Sequence, residues 1–562
     1  MKHKEELDWF RTQQSELQFQ RFKERPIAYF CAEYALGQEI PTYAGGLGIL
    51  AGDVVREAAD QKLPFVAIGM YYYEGYATGA EKCLLKSGRC NPESIGFKPV
   101  LNGEGNRLKI SVPIQDNDVK IQTWEYKQNG NSVFMMDTNI EENTMADRRI
   151  SDRLYIGDNK TRLKQEIITG IGGLRLLEAL GIHPSVYHLN EGHSAMLMFE
   201  LIRHEMKERK LSFNEAKKFA RRHVVFTSHT LVAAGHSVYS SDLVSLLLFR
   251  YAQQMQVPVS ELIKLGLVQE SNMFSMTMLL LRTVGIVSAA SKLHAKKALE
   301  IWPDYPMVGI TNGVHTKTWD KIGTDVSEPG TFWSCHQKRK IELLAHIKNE
   351  TGVEWGKDEL LIGWARRFAS YKRPLAILDD VKQFKKIALN IDKPVRLVIG
   401  GVPNPDDSDG LAMLEKLKLL IKEELAGSVV YISEYSMDLA KILTSGCDVW
   451  LNTPIVGFEA CGTSGMKAAM NGVLPFSTKD GWVDEIELSK VGWHIDSNNV
   501  TESILDTLEH NIAPMYYDCD TSCVPKLWEE YMRNARTMAM NQFSATRMLR
   551  EYLEMLYLQV TD

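Results

Sequence analysis

Residues 360–378 read "LLIGWARRFASYKRPLAIL": a largely apolar run from Leu360 to Ala365 leads straight into a stretch carrying Arg366, Arg367, Lys372 and Arg373. A run that stays apolar on consecutive positions and then breaks into a polar loop reads as a strand buried on both faces of a parallel sheet. Three more follow, "VRLVIGG" (395–401), "VVYISEY" (429–435) and "CDVWLN" (447–452), each succeeded by a helical segment or a loop. This alternation predicts βαβ units on a mostly parallel sheet. In such sheets ligands collect at the carboxyl ends of the strands, where these four cations stand. Clustered Arg and Lys there suit one or two phosphates; the competing reading is a solvated basic face.

The first half of the chain has the same grammar. "RPIAYFCAEY" (25–34), "PFVAIGMYYY" (64–73), "SVYHLN" (185–190) and "HVVFTSHT" (223–230) read as buried strands, and 161–181, 194–209 and 243–255 show helical apolar spacing. Two α/β halves joined near residue 308, beside the Pro-containing "WPDYPMVGITNGVHTKTW", predict a cleft between them. A last helical stretch, about 526–560, could pack back on either half.

A length of 562 residues suits two or three domains. With 65 basic against 71 acidic residues, a net charge of -6 and a pI near 6.2, no basic excess points to nucleic acid or an anionic membrane. Any bound anion must be held by local charge. Eight cysteines, at 31, 83, 90, 335, 447, 461, 519 and 523, form no paired CxxC framework, which suits a reducing compartment. The charged start "MKHKEELDWF" and the lack of an apolar run of about 18 residues predict a cytoplasmic protein with no membrane partner. No metal is expected: "HLNEGH" lacks the spacing of a zinc helix, and "NPDDSDG" lacks the acids of a calcium loop.

Two glycine-rich stretches add anion-binding potential. In "YAGGLGILAGD" (43–53), Gly46, Gly48 and Ala51 match a dinucleotide spacing, but no strand runs directly into them and no acid lies about twenty residues on. What remains is a set of backbone N–H groups at a helix start, suited to an anion, or else a tight turn. In "GFEACGTSGMKAAMNG" (457–472), Gly462 to Gly465 offer N–H donors at the start of a helix, with Thr463 or Ser464 as N-cap. Lys467 is then expected in the first turn, a poor place for a cation. Either its ammonium reaches solvent, or the destabilisation lowers its pKa and suits it to Schiff-base chemistry.

The segment "EACGTSGMKAAMNGVLPFSTKDGWVDEI" (459–486) resembles the cofactor-lysine region of α-glucan phosphorylases, whose pattern runs E-A-S-G-T-x-x-M-K. "EYALGQEIPTYAGGLGILAGD", "YHLNEGHSAM", "FTSHTLVAAGH", "TNGVHTKTW" and "RRFASYKR" appear in that family's order, so the resemblance covers most of the chain. It implies two Rossmann-like α/β domains facing a central cleft, the GT-B architecture: 1–308 binding glucan and phosphate, 309–540 binding pyridoxal 5'-phosphate, and a C-terminal helix at 541–562 that could pack back on the N-terminal domain. The implied activity is reversible, retaining phosphorolysis of glycogen or maltodextrin to glucose 1-phosphate, with the cofactor phosphate as proton relay, in a homodimer.

Carried over residue by residue, the resemblance makes Lys467 the imine-forming residue. It places Arg366, Gly462, Thr463 and Trp319 at the cofactor, and Arg367 and Lys372 on inorganic phosphate. Gly45 and Gly46 supply N–H donors to that phosphate. His229 contacts the glucosyl unit and offers its backbone carbonyl to the developing positive charge. Asn312, Tyr371, Glu459 and Cys461 line the sugar site, as do Asn190, Glu191 and His193 of the N-[DE]-x-H segment. Cys461 replaces the usual serine, and Ala369 and Ser370 replace the His and Glu of the long animal enzymes. Two other readings stay open: a nucleotide-sugar-dependent glucosyltransferase of the glycogen synthase type, and a non-catalytic glucan-binding relative.

Overall fold

The computed structural model describes all residues except 1, 14–15, 38–39, 41, 76–89, 233–234, 270, 324–325, 327, 405–406, 434–435, 520–523 and 561–562. Cys83 and Cys523 lie outside the described residues, as do parts of the "EYALGQEIPTYAGG", "HTLVAAGH" and "NPDDSDG" stretches. The chain divides into two compact units. One comprises Lys2–Ile310 and the chain from Met548 onward; the other is Thr311–Arg547.

The second unit holds six parallel strands in the order Val429–Ile432, Val395–Gly400, Leu360–Ala365, Val449–Asn452, Leu474–Ser477, Trp493–His494. In chain order this is 3-2-1-4-5-6, the doubly wound arrangement, whose crevice opens where the order reverses, beyond strands 1 and 4. Those two strands end in "RRFASYKR" and lead into "GFEACGTSGMK". Their amino ends are locked by fully buried charges. Asp448 accepts from Lys340 Nζ at 2.5 Å, His336 Nε2 at 2.8 Å and the Leu361 amide at 2.7 Å, and Lys340 also donates to Tyr516. An ion pair stripped of water is tolerable only when so fully hydrogen-bonded.

The first unit has a ten-stranded sheet. Its parallel part runs Val308–Gly309, Ile286–Ala289, Val224–Ser228, Val186–Asn190, Ile27–Phe30, Phe65–Met70, Asn131–Asp137. Taken in chain order, these strands again place 3-2-1 beside 4, here continuing 4-5-6-7. The reversal lies between Ile27–Phe30 and Val186–Asn190, paired Phe30 to Leu189. From Arg21 to the C-terminal segment the unit is tied by hydrogen bonds: Arg21 donates to the Tyr557 and Val560 carbonyls, and His188 Nδ1 lies 2.7 Å from the Tyr557 hydroxyl.

Several expectations need correction. The sheet gains an antiparallel extension, Lys98–Pro99, Lys109–Ile114 and Asn117–Gln128, which the sequence reading passed over. The helix expected over 161–181 is Asn159–Ile167 and Gly173–Ala179, joined by a π-turn at Ile168–Gly172. There a Cβ on Gly170 would lie 2.4 Å from the Leu197 amide and one on Gly173 2.5 Å from Phe30. Glycines let the helix press onto its neighbours. The helical stretch at 526–560 is two α-helices, Lys526–Gln542 and Ala545–Met555, and a short turn at Tyr557–Gln559. Cys90 is disulfide-bonded, whereas the cysteine spacing suits a reducing compartment. No described helix is long and apolar enough to cross a membrane.

Candidate functional site

In the second unit, the loop after Leu360–Ala365 and the loop after Val449–Asn452 meet through Glu459. Its Oε2 accepts from Lys372 Nζ at 2.6 Å and from Arg366 Nη1 at 3.3 Å. Burial alone would raise this carboxyl, but the Lys372 ammonium and the Arg366 guanidinium outweigh it and hold the pKa down to about 2. Arg366 also donates from Nη2 to Ser464 Oγ at 3.0 Å, which takes a further bond from Trp450 Nε1. Its Nε is buried with no hydrogen-bond partner among the described residues. Arg367 is exposed beside them, and its charge helps to hold Glu459 ionised. Arg373 is turned elsewhere, onto the Thr453 and Pro454 carbonyls. Tyr371 stacks on Phe458 with centroids 6.3 Å apart, and Lys372 Nζ lies 4.9 Å from its ring.

The helix of the glycine stretch is Thr463–Met470, and its N-cap is Gly462 at φ +81 with no side-chain cap. This corrects two expectations: neither Thr463 nor Ser464 caps the helix, and Lys467 sits in its last turn. A helical side chain points back toward the N-terminus, however. Lys467 Nζ accordingly returns to Thr463 Oγ1 at 3.2 Å and lies 4.2 Å above the ring of the fully buried Trp319. Asn471 holds that pair together, donating to both the Trp319 and Lys467 carbonyls. One of the small residues has a packing cause: a Cβ on Gly465 would stand 2.9 Å from Trp482.

Cys461 is buried, with the Asn312 amide directed at its sulfur, and burial pushes its thiol far up. It is therefore a neutral packing group with no thiolate character. Asn312 has its carbonyl bound by Arg547 and its Oδ1 buried with no partner among the described residues. Sequence reasoning missed Asp480, which accepts the Glu459 and Gly481 amides and whose carboxyl burial raises to about 6. The signal was present in "KDGW", an Asp-Gly turn; Gly481 has φ +56, and a Cβ there would stand 2.2 Å from the Cys461 carbonyl.

The first unit's candidates lie beyond its own strand reversal. Gly45 caps the helix Gly46–Asp60, and a Cβ at Gly45 or Gly46 would meet nothing within 4 Å. The Gly45 amide is committed: with Ala44 it donates to Glu33 Oε2, at 3.0 and 2.6 Å. Gly48 is required by packing, since a Cβ there would stand 2.6 Å from Tyr43 Cβ and 2.7 Å from Glu33 Oε2. Glu33, unnoticed in the sequence, thus already takes two amides of the turn that the sequence suggested for an anion.

Asn190, Glu191 and His229 form one cluster. Glu191 has φ +72, unusual for a residue with a side chain, and its carboxylate accepts the Gly192 amide at 3.1 Å and the His229 amide at 2.8 Å. Burial lifts it to about 7 against those bonds. His229 Nε2 lies 2.6 Å from Asn190 Oδ1, and burial lowers its pKa to about 3. His193 faces a separate small cavity with Arg162, Glu166 and Tyr155. Burial drops His193 to about 3 and raises Glu166 to about 7, and His193 Nδ1 and Glu166 Oε2 have no partner among the described residues.

Against known proteins, the carbohydrate phosphorylase family model matches residues 311–495. The maltodextrin phosphorylase of Thermococcus litoralis is 36% identical over 95% of this chain and 70% of its own length. The glycogen phosphorylase of Aquifex aeolicus is 31% identical over 95% of this chain and 86% of its own. That of Mycobacterium tuberculosis is 29% identical over 98% and 72%. With its two α/β sheets, one parallel and one mixed, and this similarity along almost the whole chain, the protein belongs to the α-glucan phosphorylase family.

Proposed function

We propose that the chain is an α-1,4-glucan phosphorylase that transfers the non-reducing-end glucosyl unit of glycogen or maltodextrin to inorganic phosphate, reversibly and with retention, giving glucose 1-phosphate. The observation that carries this reading is the cation cluster of Arg366, Arg367 and Lys372 about the carboxylate of Glu459, beside a helix start with no side-chain cap. Two phosphates brought together repel, and only a surplus of cations and N–H donors can hold them. A nucleotide-sugar enzyme has no use for a lysine folded back to that helix start.

Pyridoxal 5'-phosphate is the proposed cofactor. The residues fit it: the Lys467 amine lies over the flat face of Trp319, the first-turn amides after Gly462 have no side-chain cap, and Arg366 Nε has no partner among the described residues. When bound, the cofactor supplies a phosphate that can exchange a proton with the substrate phosphate. Lys467 would hold it covalently, while Gly462, Thr463, Ser464 and Arg366 receive its anionic end. Arg367 and Lys372 orient inorganic phosphate. In the other unit the Gly46 amide opens its helix, where the first N–H groups lack an intrahelical acceptor, and is proposed as a phosphate donor. Gly45 joins only when Glu33 yields its amide.

For the sugar, Asn312 Oδ1 is an acceptor awaiting a hydroxyl, and ionised Glu459 and Tyr371 can take others. His229 offers its ring to the glucosyl unit and its carbonyl to the developing positive charge. A homodimer in the cytoplasm completes the proposal. Reconstituted with pyridoxal phosphate, the protein is expected to absorb and fluoresce as a cofactor-loaded enzyme and to release glucose 1-phosphate from maltodextrin only with phosphate. Turnover of ADP-glucose or UDP-glucose instead would overturn the reading.

A further inference from the structure

Asn190 is fully buried, so it cannot meet a sugar directly. Both ends of its amide are in use. Nδ2 donates to Cys31 Sγ at 3.3 Å, and Oδ1 lies 2.6 Å from His229 Nε2. Three adjacent strands produce this row: Phe30 pairs with Leu189, placing Cys31 beside Asn190, and Asn190 pairs with Thr227, two residues before His229.

The amide's orientation follows from its ends. At 2.6 Å, the contact to His229 fits an N–H to oxygen bond and is too short for two nitrogens. Sγ suits the other end as acceptor, since the Glu33 amide is directed at it as well. Oδ1 has no proton to give, so His229 must carry one on Nε2. A neutral imidazole with Nε2–H has a bare lone pair on Nδ1.

We propose that Asn190, held by the Cys31 thiol, is a positioning residue that fixes His229 as its Nε2–H tautomer, leaving Nδ1 as an acceptor for a hydroxyl of the glucosyl unit. The inference rests on the phosphorolysis reading for its substrate. Glu191, by binding the His229 amide, fixes the backbone while Asn190 fixes the ring. The device selects a sugar that can donate at this position; a deoxy or fluoro sugar there would be rejected.

The test is nitrogen NMR of the full chain labelled with 15N-histidine, the His229 signal being assigned by its loss in His229→Ala. The wild type is expected to give Nε2–H. Asn190→Ala is expected to give a tautomer mixture and an about tenfold higher KM for maltodextrin, with the KM for phosphate within about twofold. Cys31→Ala, a milder change should Asn190→Ala fail to fold, is expected to move both readouts in the same direction, and Cys31→Ser, which keeps an acceptor for Nδ2, to restore them. An Nδ1–H wild type, or an unmixed Nε2–H signal in both Asn190→Ala and Cys31→Ala, would overturn the proposal. The tautomer is read without substrate, so a wild type lacking phosphorolysis would count against the functional reading alone.

Discussion

Beyond Leu360–Ala365 and Val449–Asn452 stand Arg366, Arg367 and Lys372 around Glu459, with Lys467 on the helix that follows; beyond Ile27–Phe30 and Val186–Asn190 stand Glu33, Asn190, Glu191 and, one strand further, His229. Both groups occupy the place where the strand order of a doubly wound sheet reverses. Their electrostatics differ. In the second unit a carboxylate is pulled down to about 2 by cations; in the first, a carboxylate rises to about 7 and an imidazole falls to about 3 through burial. One topology thus yields a cation-rich group, proposed for the phosphates, and a group of near-neutral hydrogen-bonding side chains, proposed for the sugar. The sheet sets where a ligand binds, and the loop residues set what it is.

The largest expected effect breaks the anion side. Lys467→Ala should lower phosphorolysis by at least about a thousandfold and abolish the cofactor's absorbance, read by a coupled glucose 1-phosphate assay and near-UV spectra. Lys372→Ala should cost about a hundredfold or more in kcat and raise the KM for phosphate. Glu459→Gln leaves two largely buried cations unpaired, a loss of about 3 kcal/mol in urea unfolding. Inorganic phosphate should recover more stability in this variant than in the wild type, since it supplies the missing charge.

The pH dependence of stability sharpens the contrast, because the two sides have opposite signs. Glu459 falls from its ordinary 4.5 to about 2, so its contribution is complete above pH 4.5 and is lost as pH drops toward 2. Glu191 and Glu166 rise from 4.5 to about 7, so the folded state binds more protons between those values and loses stability as pH climbs through them. Unfolding of Glu191→Gln at pH 5, 6 and 7 should show a flatter decline than the wild type. Smallest is the glycine pair: Gly46→Ala should change stability by no more than about 0.5 kcal/mol, while Gly48→Ala, which collides with Tyr43 and Glu33, should cost about 1–3 kcal/mol by thermal melting.

The parallel strands were legible because strands buried on both faces leave continuous apolar runs such as "LLIGWA" and "FVAIGM". The antiparallel extension, Lys109–Ile114 and Asn117–Gln128, lacks such runs and was passed over, although its alternation of polar with apolar residues is the mark of half-buried strands. Yet "QNGN" carried a hairpin signal: Asn129 and Gly130 both have positive φ, the mark of a two-residue turn. At the site, the cations and glycines stood out by composition. Glu33, Cys31 and Asp480 did not, because their roles come from a neighbouring strand or a distant loop that no local pattern reveals. The placement of Lys467 shows a third limit: its backbone belongs to the last helical turn and its amine to the first, a distinction only the side-chain direction makes.

The most direct test of the central claim is the initial rate of glucose 1-phosphate release from maltodextrin, measured against phosphate concentration for the pyridoxal phosphate-loaded wild type and Lys467→Ala. Saturable, phosphate-dependent release by the wild type and none above background by the variant is the predicted result. Equal rates in the two proteins, or no phosphate-dependent release from the wild type, would contradict it.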